Sequence, residues 1–263
     1  MGTRTAPMAL RIEAFSSMKV LGIDIGGSAL KGAPVDTKTG ELLAERFRIE
    51  TPEQVSPDEM AAIVARISAH FRWKGKIGVG FPGVIQSNIT LTAANLDKKF
   101  IGTDLGKLFG NATKCKVSVI NDADAAGIAE MRFGAGRGHL GNVLLLTLGT
   151  GVGSAMFYRG ILYPNTEFGH FPFEGVDAEK RVAASVRKEE DLTWHHWGKR
   201  LNHYLQTLEV MLSPELIILG GGVSAKSDKF FKYLKVRAKL VPASFLNEAG
   251  IVGAAMAASE RKD

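Results

Sequence analysis

The chain has 263 residues, 45% of them apolar and 23% charged, with a formal net charge of +6. That composition fits a globular protein large enough for one sizeable domain or two lobes, and no apolar run approaches the roughly 18 residues of a membrane span. A single cysteine, Cys115, excludes an internal disulfide and a zinc site built from several thiolates, and it fits cytoplasmic residence. The excess positive charge suits an anionic ligand without naming it: nucleic acid, a membrane surface and phosphate polymers all stay open on charge alone.

In chain order, residues 1–17 hold scattered charge and no long apolar stretch, so they read as a mobile tail and not as a secretory leader. Val20–Ile25 reads as a buried strand, a glycine turn follows, and Leu30–Val35 returns antiparallel. Glu41–Ile49 alternates and reads as a third strand. Ser56–Phe71 has helical periodicity, with Ser56 as N-cap, Pro57 in the first helical position and Glu59 completing a capping box. Lys76–Gly80 is a short strand, Thr103–Phe109 a helix, Val117–Asn121 a strand and Ala123–Phe133 a small-residue helix. The order then repeats. Val143–Leu148 and Val152–Tyr158 form a second hairpin, residues 178–212 are mainly helical, and Leu216–Leu219 is a buried strand. Ser227–Leu234 and Ala249–Ala258 are helical. The half-chain repeat implies two similar lobes with a cleft between them: 18–122, and 123–245, with 246–263 rejoining the first.

The repeat is most visible in two glycine turns. VLGIDIGGSALKG, from Val20, and VLLLTLGTGVGSA, from Val143, align Gly26-Gly27-Ser28 with Gly149-Thr150-Gly151 and Asp24 with Thr147. Backbone N–H groups in such turns bind phosphate oxygens, and glycine allows the close approach. Neither copy is a Walker loop, and a strand, not a helix, follows each turn, which argues against a dinucleotide fingerprint. Two facing turns suit the two ends of a phosphate chain, and hence phosphoryl transfer. Asp24, at a strand end beside the first turn, would repel bare phosphate and so calls for Mg²⁺.

Asn121-Asp122 closes a strand and opens a helix, a common position for catalytic groups in α/β folds. Asp122 reads as the general base, against the alternative of a helix N-cap; Asp124 reads as a first-turn dipole partner. Glu167 and His170 stand three residues apart in an aromatic stretch and offer the convergent polar groups that a polyol requires. Gly220-Gly221-Gly222 at a strand exit suits a nucleotide lying against backbone. Two basic clusters, Lys180, Arg181, Arg187 and Lys188, and then Lys226, Lys229 and Lys232 at a spacing of three, could track an elongated anion or form a solvated face.

These segments together resemble the sugar kinases of the ROK family, within the actin/hexokinase/Hsp70-like (ribonuclease H-like) superfamily, from about Lys19 to Ala258. GIDIGGSALKG resembles the family's first phosphate motif and LTLGTGVGSA its second. GFPGV and NDADAAGIAE match its sugar-side and catalytic segments, EFGH its E-x-G-H motif, and LIILGGGVS its adenosine motif. The resemblance implies a two-lobed α/β fold with Asp122 catalytic. It puts Asn95, Asn121, Glu167, His170 and Glu179 on sugar hydroxyls, and Asp24, Lys31, Ser28, Thr150 and the turn glycines on the phosphate side. The family's cysteine-rich zinc motif is missing after His170, so no structural zinc is expected and Phe171 and Phe173 are expected to anchor that loop by packing. The cysteine-free form is similar to the polyphosphate-using glucokinases of the family. The reading is therefore a cytoplasmic Mg²⁺-dependent kinase, monomer or homodimer, phosphorylating D-glucose, with mannose as a further acceptor and polyphosphate or ATP as donor, and without nucleic-acid or membrane partners. The alternatives are an ATP-only glucokinase, a sugar-responsive ROK regulator (for which residues 1–17 leave no room for a DNA-binding helix pair), and a filament or chaperone ATPase, against which EFGH argues.

Overall fold

The computed structural model describes residues 19–52, 54–93 and 96–261; Asn95 and the tail 1–17 lie outside the described residues. β1 (Lys19–Ile25) and β2 (Ala29–Asp36) form the first antiparallel hairpin and set Asp24 opposite Lys31. β3 (Phe47–Glu50) pairs with β2 but is shorter than the expected 41–49 strand. Residues 43–46 are all exposed, so no buried face ties them to the sheet, and Leu42 makes only an isolated bridge to Val35. α1 (Pro57–His70) starts as its sequence dictates: the Glu59 N–H donates to Ser56 Oγ at 3.3 Å, and the Ser56 N–H donates to the Glu59 carboxylate at 2.8 Å.

β4 (Ile77–Phe81) runs parallel to β1. β5 (Ile85–Gln86) and β6 (Ile89–Thr90) form a small hairpin, α2 (Leu105–Thr113) follows, and β7 (Val117–Asn121) completes a sheet of order β3-β2-β1-β4-β7. α3 (Asp122–Phe133) leaves directly from the end of β7.

The second half builds the same plan. β8 (Asn142–Leu148) and β9 (Val152–Tyr158) are its glycine-turn hairpin, extended by β10 (Ile161–Tyr163). β11 (Pro172–Phe173) and β12 (Val176–Asp177) form a short hairpin, followed by α4 (Glu179–Val182), α5 (Ala184–Glu189) and α6 (Trp194–Leu212). β13 (Leu216–Gly220) is parallel to β8. A single α-turn, α7 (Ser227–Phe230), lies between two 3₁₀ turns in place of the expected helix over 227–234. The chain leaves the α-helical path at Phe230, whose φ of −127° lies outside the helical range, and Phe230 and Phe231 both pack into one aromatic core. β14 (Lys239–Pro242) closes the second sheet, of order β10-β9-β8-β13-β14. The two sheets are the lobes of an α/β fold, and both contribute to the cleft described below.

α8 (Ala249–Glu260) comes back to the first sheet and packs on β1, β4 and α3. The contact is backbone to backbone. A Cβ on Gly78 would lie 1.9 Å from the Ala254 carbonyl oxygen, and one on Gly253 would lie 1.6 Å from that of Ala125. Glycine at both positions is what lets sheet, α8 and α3 stack at this separation. Gly253→Ala must push α3 and α8 apart; overpacking of this kind costs about 1–3 kcal/mol, and the thermal unfolding midpoint is expected to fall by about 2–12 °C by calorimetry.

Candidate active site

The parallel strands of each sheet deliver their C-terminal ends to one place, the usual location of chemistry in such sheets. Asp24 arrives on β1, Asn121 and Asp122 at the junction of β7 and α3, Thr147 on β8 and Gly220 and Gly221 at the end of β13. Two chambers meet there. An inner chamber of about 160 Å³ is lined by Asp24, Lys31, Asp122, Thr147, Gly220 and Gly221 among others. An outer chamber of about 250 Å³ is lined by Gly27, Asn121, Asp122, Thr147, Gly149, Thr150, Gly151, Glu167, His170, Glu179 and Gly221 among others. Asp122, Thr147 and Gly221 line both, so Asp122 stands at the junction.

Asp122 is not the cap of its helix. Asn121 is: its Oδ1 accepts the Asp124 N–H at 3.0 Å, while its Nδ2 donates to the Gly83 carbonyl at 3.2 Å. The Asp122 carboxylate is tied only locally among the described residues, with the Ala123 N–H donating to its Oδ1 at 2.8 Å. Its carboxyl is pushed up to about 7, first by burial, then by the charge of Asp24, with Glu167 adding and the Ala123 N–H opposing. Burial also raises the Asp24 carboxyl, and Lys31 pulls it back. Gly250, in the first turn of α8, would bring a Cβ within 2.6 Å of the Asp24 carboxylate, so a side chain there would collide with it.

Asp124 corrects a simpler expectation. It sits in the first turn of α3, but it is fully buried and its Oδ2 accepts the Asn165 N–H at 2.8 Å. Asn165 in turn exchanges hydrogen bonds with the Ile85 backbone at 2.9 and 3.0 Å, tying β5 to the second lobe. Burial holds the Asp124 carboxyl up at about 7.

The sugar-side residues form a network. His170 Nε2 lies 3.8 Å from Glu167 Oε2; its Nδ1 lies 3.3 Å from Asp177 Oδ2 and 3.9 Å from Glu179 Oε1. The Val152 N–H donates to Glu179 Oε2 at 3.3 Å, which binds this group to the second glycine turn. Burial raises the Glu167 carboxyl, with His170 opposing and Glu179 adding. Phe173 is buried against His203 and Tyr204, and Phe171 is partly buried on the same core, so aromatic packing does anchor the loop that follows His170.

The glycine turns are braced differently. In the first, the Gly26 N–H donates to the Ala29 carbonyl at 3.1 Å, and Thr51 Oγ1 donates to the Gly26 carbonyl at 2.8 Å; Ser28 lies exposed. In the second, the Ser185 N–H donates to the Gly149 carbonyl at 3.0 Å and Ser185 Oγ to that of Thr150 at 2.8 Å. From Gly149 and Thr150 a trough of about 460 Å³ leads outward, lined by Gly222, Trp194 and the cations Arg187, Lys188 and Lys226. Arg187 stacks over the Trp194 ring at 4.1 Å, and Lys229 approaches the same ring at 5.9 Å. The remaining basic residues do not line it. Arg181 pairs with Glu174, Lys180 is exposed elsewhere, and Lys232 lies over Tyr233 at 5.2 Å, because the broken helix removes the regular winding that a spacing of three would have given.

Sequence reading missed Asp177, Asn165 and Ser185. The first lies on a two-residue hairpin whose Glu174-Gly175 turn lacks the usual Asn-Gly or Asp-Gly signal; the others act through backbone contacts that only the fold creates.

The chain belongs to the ROK family, whose model matches residues 20–188. Within the family it is similar to the polyphosphate glucokinase of Mycobacterium tuberculosis, at 46% identity over 237 residues, covering 90% of this chain and 89% of that one. The polyphosphate glucokinase of Mycobacterium leprae is 41% identical over 257 residues, covering 97% and 79%. Among solved structures, the inorganic polyphosphate/ATP-glucomannokinase of Arthrobacter sp. strain KM superposes with a TM-score of 0.89 at 44% identity, covering 92% of this chain and 98% of that one. A ROK glucokinase of Streptomyces griseus, solved with glucose and AMPPNP, shares the fold at a TM-score of 0.78 and 24% identity, covering 93% and 100%. No helix among the described residues is long and apolar enough to cross a membrane.

The two facing carboxylates generate a titration test. Asp122 is expected to ionise with a midpoint near 7 in the ligand-free protein. Asp24→Asn removes a negative charge that opposes ionisation, so it should lower that midpoint. Carbon-13 NMR of the aspartate carboxyls reads both values; an unchanged midpoint in the variant would refute the coupling.

Proposed function

We propose that this chain transfers a phosphoryl group from inorganic polyphosphate or ATP to the 6-hydroxyl of D-glucose, with mannose as a second acceptor. The observation that carries the reading is the placing of Asp122 where a chamber of Glu167, His170, Asn121 and Glu179 meets both glycine turns. The polar groups of the outer chamber suit sugar hydroxyls, which both donate and accept hydrogen bonds. Glucose seated there would bring its 6-hydroxyl to Asp122.

In its ionised form, Asp122 accepts the hydroxyl proton as the sugar oxygen bonds to the terminal phosphorus. The bond from that phosphorus to its bridging oxygen breaks, and the shortened polyphosphate or ADP leaves with the electron pair. The proton then passes from Asp122 to solvent. Because phosphoryl transfer has a loose transition state, most of the acceleration comes from alignment and from stabilising charge on the phosphoryl oxygens. Gly26, Gly27, Gly149, Thr150 and Gly151 offer backbone for those oxygens, and Lys31 supplies a fixed cation. Two buried carboxylates around an oxygen-rich inner chamber fit a hard divalent cation, and Asp24 would hold Mg²⁺, directly or through water; when bound it neutralises donor charge. Closure of the lobes on glucose would exclude water and limit wasteful hydrolysis.

The trough beyond Thr150 supports the donor assignment. Arg187, Lys188 and Lys226 bring positive charge to a trough that begins at the second glycine turn, which suits a donor carrying several phosphates. Cytoplasmic residence accords with the single cysteine.

A donor panel with purified protein is the direct test: glucose 6-phosphate should form from both polyphosphate and ATP, and formation from ATP alone would replace the proposal with an ATP-only glucokinase. Asp122→Asn should lower kcat by about 10²- to 10⁴-fold while glucose still binds by calorimetry. A loss of less than about tenfold would remove Asp122 from the role of base. Arg187→Ala with Lys226→Ala should raise KM for long polyphosphate more than for ATP, and the difference should shrink as salt is raised; equal effects on both donors would refute the track.

A further inference from the structure

Asp177 belongs to no part of the reaction described so far, yet at 3.3 Å it lies nearer to the His170 ring nitrogens than either Glu167 or Glu179. The local chain explains how it gets there. Pro172–Phe173 and Val176–Asp177 pair antiparallel with Pro172 opposite Asp177. The reversal between them takes two residues, Glu174 and Gly175, both at positive φ, 50° and 82°. This is the hairpin turn whose twist matches that of the flanking strands. Phe173 fixes the hairpin to the core beneath, and Arg181 holds its tip through the Glu174 carbonyl at 3.4 Å. The reversal sets residue 177 beside residue 170, where Oδ2 meets Nδ1 at 3.3 Å.

A histidine that presents one nitrogen to a ligand needs its other nitrogen held; otherwise the ring rotates and its tautomer is mixed. Glu179 does not serve that purpose: it is 3.9 Å from Nδ1 and accepts the Val152 N–H with its other oxygen. We propose that Asp177 is a positioning residue for sugar binding: its carboxylate accepts the Nδ1–H of His170, fixing the ring and leaving Nε2 as an acceptor directed at a sugar hydroxyl beside Glu167. Asp177 touches no substrate and acts through His170. The inference rests on the reading of His170 as a sugar contact.

Glucose binding, measured by calorimetry without donor, tests it. Asp177→Ala should weaken binding by about 10-fold, taking as a guide the lower end of the losses seen when the outer partner of a metal-ligating histidine is removed. Asp177→Asn keeps an accepting oxygen and should recover most of that loss. In a His170→Ala background, Asp177→Ala should add less than about twofold, because residues acting as a unit are not additive. Nitrogen-15 NMR of the imidazoles should show the Nδ1–H tautomer of His170 in the parent and in Asp177→Asn, and a mixed population in Asp177→Ala. Unchanged binding in Asp177→Ala, equal losses in both Asp177 variants, or additive losses in the double variant would overturn the proposal. So would loss of glucose binding on treating the parent protein with EDTA, because a cation held by His170, Asp177 and Glu179, whose ligand atoms lie within 4.8 Å of one another, would then be what fixes the ring. If His170→Ala itself leaves glucose binding unchanged, the sugar-contact reading fails; if it weakens binding while Asp177→Ala does not, only the positioning role fails.

Discussion

The contact between α8 and the first sheet sets the dimensions of everything that follows. A helix normally stands 8–10 Å from its neighbours because side chains hold it there. Here backbone meets backbone on both sides of α8, through Gly78 on one side and Gly253 on the other. The sheet and α3 are thereby drawn together with a helix of small residues between them. Asp24 ends a strand of that sheet, and Asp122 begins α3. Their separation is thus set by backbone packing through α8, whose Gly250 lies against Asp24 and whose Gly253 lies against Ala125, one turn from Asp122; the burial that raises the Asp122 pKa comes from the same packing.

The site gathers carboxyl groups: Asp24, Asp122, Glu167 and Glu179 lie around two joined chambers. Burial comes first in raising Asp24, Asp122 and Glu167, and neighbouring carboxylates add to it at Asp122 and Glu167. The cationic side chains stand apart, along the outward trough, except for Lys31. Polyol hydroxyls relieve the first group by donating hydrogen bonds, and a phosphate chain relieves the second. On the proposed function, this separation of charge would orient the two substrates, with the acceptor on the acidic side and the donor tail on the basic side.

The features legible in the sequence were those set by neighbours along the chain. The two glycine turns, the Ser56 capping box and the strand-to-helix junction at Asp122 each rest on a few consecutive residues, and the structure has all three. Features set by tertiary partners were not legible. Residues 43–46 alternate well enough for a strand but have no buried face to occupy. The segment after Lys226 has helical spacing, but the chain leaves the helical path at Phe230. Asn121 is expected on the sugar side and does line the outer chamber, but the sequence does not show that its side chain also meets Gly83, 38 residues back along the chain. Asp177 carried no signal because its importance depends on the register of a two-residue hairpin.

Trp194 gives the trough an optical character. Three tryptophans occur in the chain. Trp197 is fully buried, with its indole N–H donating to the Val182 and Ala183 carbonyls, and Trp73 belongs to the core of the other lobe. Of the three, Trp194 lines the trough beyond Thr150, with the Arg187 guanidinium stacked on its face. An anion that drew Arg187 away would strip a cation from the indole and change its emission. The trough thus carries an intrinsic fluorophore in an environment distinct from those of the other two tryptophans.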